Sequence, residues 1–138
     1  MKFTRKAAAH WEGNLKEGKG ALTTESKTLD KTAYAYKTRF EEAVGTNPEE
    51  LIGAAHAGCF TMQLSAMLSD EGFTPDALDT AAHVTFEDGT ITKIQLELTG
   101  DVPKIDEDKF MEIANKAKEN CPVSKLLKAE ITLKATLK

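Results

Sequence analysis

The feature that most restricts the fold is a run without a charged side chain, from Leu51 to Ser69. It follows a helix start: Asn47 can cap, Pro48 suits the first turn, and two acidic residues complement the helix dipole. About 20 apolar residues cross a bilayer, so length alone would fit a membrane span. The run also contains five polar side chains, namely His56, Thr61, Gln63, Ser65 and Ser69. Because such groups are costly inside hydrocarbon, we predict a helix buried on nearly all sides of a protein without a membrane partner.

Small residues recur on this predicted helix. They are Gly53, Ala54, Ala57 and Gly58. Their four-residue spacing would let another backbone approach closely, and a helix buried all round needs a larger core than one small domain usually offers. We therefore predict a homodimer whose interface runs along this helix.

The segments around the helix predict an α+β fold. Residues 1–44 are typical of strands joined by turns, and the alternation in Tyr34–Phe40 predicts a strand with Arg39 facing away from Tyr36 and Phe40. After the helix we predict strands at 77–87 and 91–99 joined at Asp88-Gly89, helices at 105–120 and after Pro122, and a last strand at 129–137. No repeat or linker divides the chain, so we predict one domain over residues 1–138.

The net charge restricts the possible partners, and the N-terminal sequence restricts the possible compartment. Eighteen Lys and Arg against 22 Asp and Glu give a formal net charge of -4. A nucleic-acid binder needs excess positive charge to release counterions, so we predict no nucleic-acid partner. The first residues, MKFTRKAAAHWEGN, lack the apolar segment of a secretory signal. We expect a cytoplasmic protein.

Two cysteines, Cys59 and Cys121, are too few for a disulfide scaffold or a zinc site built from thiolates. Cys121 precedes Pro122 near a predicted helix start, where backbone amides favour a thiolate. Cys59 lies deep within its helix and would need a side-chain cation, for which Arg39 is the best candidate. Glu49 could hold that guanidinium in place. The alternative is that both thiols are inert core residues.

His56 lies three residues before Cys59 and opens further alternatives. A Cys-His pair would suit a thiol hydrolase, or the two could contribute to a metal site. A histidine packed and hydrogen-bonded in the core is the simpler interpretation. A non-enzymatic dimer that binds an apolar ligand along the helix is a third function class.

Residues 45–60, GTNPEELIGAAHAGCF, closely resemble the signature of the OsmC/Ohr family, with the osmotically inducible protein C branch the nearer match. Three further stretches support the resemblance: AHWEG at 9–13, TRF at 38–40 and NCPVSK at 120–125. Together they cover essentially the whole chain in order. The region from 86 to 92 looks a few residues shorter than expected for that branch, which leaves the site residues untouched.

The resemblance implies an α+β fold with antiparallel sheets around a long buried central helix, in an intertwined homodimer. It implies a thiol-dependent peroxidase for organic hydroperoxides and hydrogen peroxide, without haem, flavin or metal cofactor. Carried over by motif, Cys59 is the peroxidatic thiolate, Cys121 the resolving thiol, and Arg39 with Glu49 the activating pair. Ohr-type members can supply the arginine from a different loop. The expected reductant is a dithiol, a lipoyl-bearing protein or a thioredoxin-like donor. An apolar pocket for an alkyl group could be lined by Leu51, Phe60, Met62 and Met67, and plain core packing explains these residues equally well.

Overall fold

The computed structural model describes residues 1–138 as two compact units, residues 1–51 and 52–138. The first unit holds a three-stranded antiparallel sheet in the order β1 (Ala7–Glu12), β2 (Lys19–Thr24) and β3 (Thr32–Tyr34). Gly13 adopts a φ of 90° directly after β1, and the indole N–H of Trp11 donates to its carbonyl at 2.9 Å. Strands joined by glycine turns are confirmed for this part of the chain.

The strand predicted over Tyr34–Phe40 is wrong, because β3 ends at Tyr34 and a short helix, α1 (Tyr36–Phe40), follows. The Thr38 hydroxyl accepts from the Ala35 N–H at 2.8 Å and donates to the Ala35 carbonyl at 2.9 Å, which closes the first turn. Tyr36 and Phe40 then lie one turn apart with ring centroids 4.9 Å from each other. Over so short a segment, period two and a four-residue helical repeat select the same positions.

The predicted long helix is confirmed as α2 (Pro48–Asp70). The side-chain oxygen of Asn47 accepts from the N–H of Glu50 at 2.8 Å, as expected of a cap. By length and composition α2 could cross a membrane, with a mean hydropathy of 1.3. Its one buried stripe packs in the core of the second unit, so we interpret it as a core helix.

Within a single chain, α2 is buried on one side only, and its burial on the other side by a second copy stays a prediction. One stripe is buried: Gly53, His56, Phe60, Leu64 and Leu68. The opposite side is exposed at Ala54, Ala55, Gly58, Met62 and Ala66. In a single chain, part of the uncharged surface of α2 therefore faces outward.

The second unit has a three-stranded sheet in the order β4 (Ala77–Glu87), β5 (Thr90–Asp101) and β6 (Glu130–Leu137). The predicted hairpin is confirmed: Asp88 and Gly89 have φ values of 47° and 81°, as a two-residue type I′ turn requires. The expectation of antiparallel sheets holds for β4 and β5 but is wrong for β5 and β6, which pair in parallel.

Parallel pairing requires a long crossover, and residues 102–129 supply it. This segment contains α3 (Glu107–Asn120) and α4 (Pro122–Leu126). Both helices were predicted, and the expected inward face of α3 is confirmed by buried Phe110, Ile113, Ala114 and Ala117. Gly100 on β5 lies under the Phe110 ring, where an added Cβ would come within 2.5 Å of a ring carbon. The core therefore lies between one sheet face and helices α2 and α3.

Candidate active site

The two thiols meet in the second unit although 62 positions separate them in the sequence. Cys59 on α2 is half-buried, Cys121 is fully buried, and both are free. The Cys121 thiol donates to the Cys59 sulfur with the two Sγ atoms 3.0 Å apart. A disulfide bond is about 2.05 Å long, so bond formation needs an approach of about 1 Å.

Cys121 is positioned by the junction of two helices. It ends α3, with its N–H donating to the carbonyl of Ala117 at 2.9 Å. It also begins α4, with its carbonyl accepting from the N–H of Lys125 at 3.1 Å. Pro122 occupies the first position of α4, where its missing N–H costs nothing. The Cys-Pro sequence thus places Cys121, the candidate resolving thiol, at the junction between α3 and α4.

Burial raises the pKa of the Cys59 thiol, and negative charge on the neighbouring Cys121 sulfur would raise it further. The second effect is expected for a close pair, because ionising both sulfurs would place two negative charges side by side. The backbone N–H of Val123 opposes them and lowers the pKa of Cys59. The sequence predicted that the helix-start amides would favour a thiolate at Cys121. That stays a prediction, and one amide of the first turn of α4, that of Val123, acts on the sulfur of Cys59.

Arg39 and Glu49 form an ion pair within the first unit. The Arg39 Nε and Nη2 atoms donate to Oε1 of Glu49 at 2.9 and 2.7 Å. The Arg39 side chain is 37% exposed and that of Glu49 is 14% exposed. The guanidinium carbon also lies 5.1 Å from the centroid of the Phe40 ring. Arg39 reaches Glu49 from the last turn of α1, rather than from the predicted strand.

An apolar pocket adjoins this ion pair in the first unit. Its lining is mainly aromatic and includes Trp11, Tyr34, Tyr36, Phe40 and Pro48 beside Arg39. The sequence had not indicated that these residues form a pocket. The spacing of Tyr36 and Phe40 by four residues is the signal that could have revealed them.

Two of the pocket candidates on α2 lie on different sides of the helix. Phe60 is fully buried in the core of the second unit. Met62, by contrast, is 76% exposed on the outer side of α2. The two side chains therefore do not share one cavity.

His56 is fully buried, and its side chain contacts Ser124, whereas a thiol hydrolase would need a contact with Cys59. Its Nε2 atom lies 2.7 Å from the Ser124 hydroxyl, while Nδ1 has no hydrogen-bond partner. Burial lowers the pKa of His56, which favours the neutral ring. The packed, hydrogen-bonded histidine is confirmed, and the structure does not form the Cys-His pair of a thiol hydrolase. No group of three or more His, Cys, Asp or Glu side chains is placed to hold a metal ion.

Comparisons with known proteins place this chain in one class. Residues 40–136 match the family model of OsmC-like proteins, and the chain belongs to that family. It is 53% identical over 142 residues to peroxiredoxin OsmC of Escherichia coli (strain K12), covering 100% of this chain and 99% of the relative.

Solved structures agree with the fold. The crystal structure of the organic hydroperoxide resistance protein OhrB of Bacillus subtilis matches with a TM-score of 0.68 and 26% identity, over 99% of this chain and 98% of that one. An OsmC-like protein of unknown function from Vibrio cholerae matches with a TM-score of 0.75 at 13% identity, over 97% and 99% of the two chains. The α+β fold and the family resemblance found in the sequence are both confirmed.

Proposed function

We propose that this chain, a thiol-dependent peroxidase, reduces organic hydroperoxides and hydrogen peroxide with Cys59 as its nucleophile. The observation that supports this most strongly is the pair of free thiols with sulfurs 3.0 Å apart. Cys59 is partly accessible whereas Cys121 is fully buried. A peroxide arriving from solvent would therefore meet Cys59 first, which assigns the peroxidatic role to Cys59 and the resolving role to Cys121.

The proposed reaction has two sulfur steps. The Cys59 thiolate attacks the distal peroxide oxygen, the O–O bond breaks, and an alcohol or water leaves after taking up a proton. Cys59 is then a sulfenic acid. The Cys121 sulfur attacks it, water leaves, and a Cys59–Cys121 disulfide forms. Two electrons have passed from the thiols to the peroxide, and a dithiol returns them by exchange. We propose a lipoyl-bearing or thioredoxin-like protein as that reductant.

Arg39 and Glu49 are proposed as the activating pair. Burial raises the pKa of Cys59, so the thiolate requires compensating positive charge or hydrogen-bond donors. A guanidinium held by two hydrogen bonds to one carboxylate keeps its charge and orientation. Such a group also stabilises the negative charge that develops on the departing oxygen. The aromatic pocket beside Arg39 would accept the organic group of the hydroperoxide.

A second copy of the chain is the proposed partner for two exposed surfaces. One is the uncharged outer side of α2, where Met62 is 76% exposed. The other is the first unit, in which Thr46 is the one buried residue. A sheet without buried apolar side chains has little to stabilise it, so we propose a homodimer that covers it. The free thiols fit a reducing compartment, and we propose the cytoplasm.

The test uses the two cysteines as controls for each other. The wild-type chain should consume cumene hydroperoxide in the presence of dithiothreitol, and Cys59→Ser should not. Cys121→Ser should react once and then accumulate sulfinic acid, which mass spectrometry detects as added oxygen. Full peroxidase activity in Cys59→Ser would falsify the assignment. If Cys121→Ser accumulates no more sulfinic acid than the wild-type chain at the same peroxide concentration, the resolving role is wrong.

A further inference from the structure

Two side-chain contacts join α2 to α4, and they lie side by side. Cys59 contacts Cys121, and His56 contacts Ser124. In each helix the two positions lie three residues apart, close to one helical turn. The His56 contact therefore lies beside the sulfur contact along both helices.

Helix α4 packs only partly against the core, through Val123. It is five residues long and contains no fully buried residue, and Leu126 at its end is 77% exposed. Apart from the contacts that the Cys59 sulfur makes with Cys121 and the Val123 N–H, the hydrogen bond between Nε2 of His56 and the Ser124 hydroxyl, 2.7 Å long, ties α4 to α2.

His56 also occupies a position where packing alone would favour an apolar residue. The ring is fully buried between helices and sheet, and its Nδ1 atom has no partner. A buried polar atom without a hydrogen bond is destabilising. The unpaired Nδ1 atom therefore makes the ring costly in stability. What the ring offers in return is the hydrogen bond between its Nε2 atom and Ser124.

We propose that His56 and Ser124 are positioning residues for the resolving step, which rests on the function proposed above. Their hydrogen bond holds α4 so that the Cys121 sulfur stays within about 1 Å of bonding distance to Cys59. When Cys59 becomes a sulfenic acid, disulfide formation competes with a second peroxide molecule that would oxidise it to sulfinic acid. The hydrogen bond between His56 and Ser124, which we call the clamp, favours formation of the disulfide.

The experiment measures this competition in the full chain. Reduced protein is exposed to increasing cumene hydroperoxide, and mass spectrometry gives the fractions of disulfide and sulfinic acid. Ser124→Ala should reach half sulfinic acid at a peroxide concentration lower by roughly tenfold, as expected from the loss of one hydrogen bond. The rate of the first oxidation, followed with peroxide in excess, should stay within about twofold. His56→Leu should shift the competition in the same direction.

Two further variants separate positioning from general stability. Ser124→Thr keeps the hydroxyl and should restore the wild-type competition. Thr80→Val removes a hydrogen bond of 2.8 Å between Thr61 of α2 and β4, and should leave the competition unchanged. Equal sulfinic acid curves for wild type and Ser124→Ala would overturn the clamp, and so would an equal shift in Thr80→Val. Wild-type protein that forms no disulfide at any peroxide concentration would instead contradict the proposed function.

Discussion

Oxidation of Cys59 and Cys121 to a disulfide should make the folded chain markedly more stable. The two sulfurs are already 3.0 Å apart in the reduced protein, so bonding them needs little movement of α2 or α4. In the unfolded chain, by contrast, the same bond closes a loop spanning 62 positions. The bond therefore restricts the unfolded state far more than the folded one.

The size of the effect follows from the loop length. For a loop of that length, the chain-entropy relation gives about 14 cal/mol/K, or about 4 kcal/mol at 25 °C. With a urea dependence of about 2 kcal/mol per molar for a small protein, the unfolding midpoint should rise by about 2 M. Strain in the disulfide would reduce this figure, and we expect a rise of at least about 1 M.

The assay is urea unfolding at one fixed protein concentration, followed by far-ultraviolet circular dichroism, because α3 and most of α2 lie in the unit that contains both cysteines. One sample is kept reduced, and the other is oxidised with one equivalent of cumene hydroperoxide. Cys121→Ser treated in the same way should show no increase. An oxidised wild-type chain that unfolds at the same urea concentration as the reduced chain, or at a lower one, would refute the argument that the folded state already holds the thiols in bonding position.

Three other perturbations test the core, the dimer and the buried histidine. Leu64→Ala removes a fully buried side chain and should lower the free energy of unfolding by about 3 kcal/mol, measured in urea; a loss below about 1 kcal/mol would contradict its place in the core. Met62→Glu puts a charge on the exposed side of α2 and should shift the sedimentation coefficient from dimer to monomer; an unchanged coefficient would remove this face from the interface. Burial lowers the pKa of His56, so the unfolded chain binds a proton below pH 6.5 that the folded chain does not. The free energy of unfolding should therefore fall by up to about 1.4 kcal/mol per pH unit as pH drops below 6.5, and His56→Gln should reduce that slope; identical slopes would show that His56 does not titrate differently on unfolding.

Much of the fold was predictable because its signals are local. The cap at Asn47 and the proline after it predict the start of α2, and Asp88-Gly89 predicts the hairpin between β4 and β5. The error at Tyr34–Phe40 is also local in origin. The hydroxyl of Thr38 closes a helical turn there, and the alternation of aromatic residues does not distinguish that turn from a strand.

The candidate site depends on contacts that no local pattern contains. Sequence motifs selected Cys59, Cys121, Arg39 and Glu49, but their spacing says nothing of which pairs meet. The sulfur contact and the His56 contact to Ser124 arise only when the crossover between β5 and β6 folds back on α2. Burial of a single face of α2 was likewise hidden, because its two sides have the same uncharged composition.

The parallel register of β5 and β6 also determines whether the two thiols can meet. Gly100 pairs with Leu137 and Lys93 with Glu130, and three residues connect α4 to β6. A slip of two residues would keep the same side chains facing inward, yet it would displace β6 by about 6.6 Å along the sheet. That is more than twice the sulfur separation of 3.0 Å, so the short connection would have to stretch or α4 would leave Cys59. Accurate strand alignment, remote from both sulfurs, is therefore a condition for their chemistry.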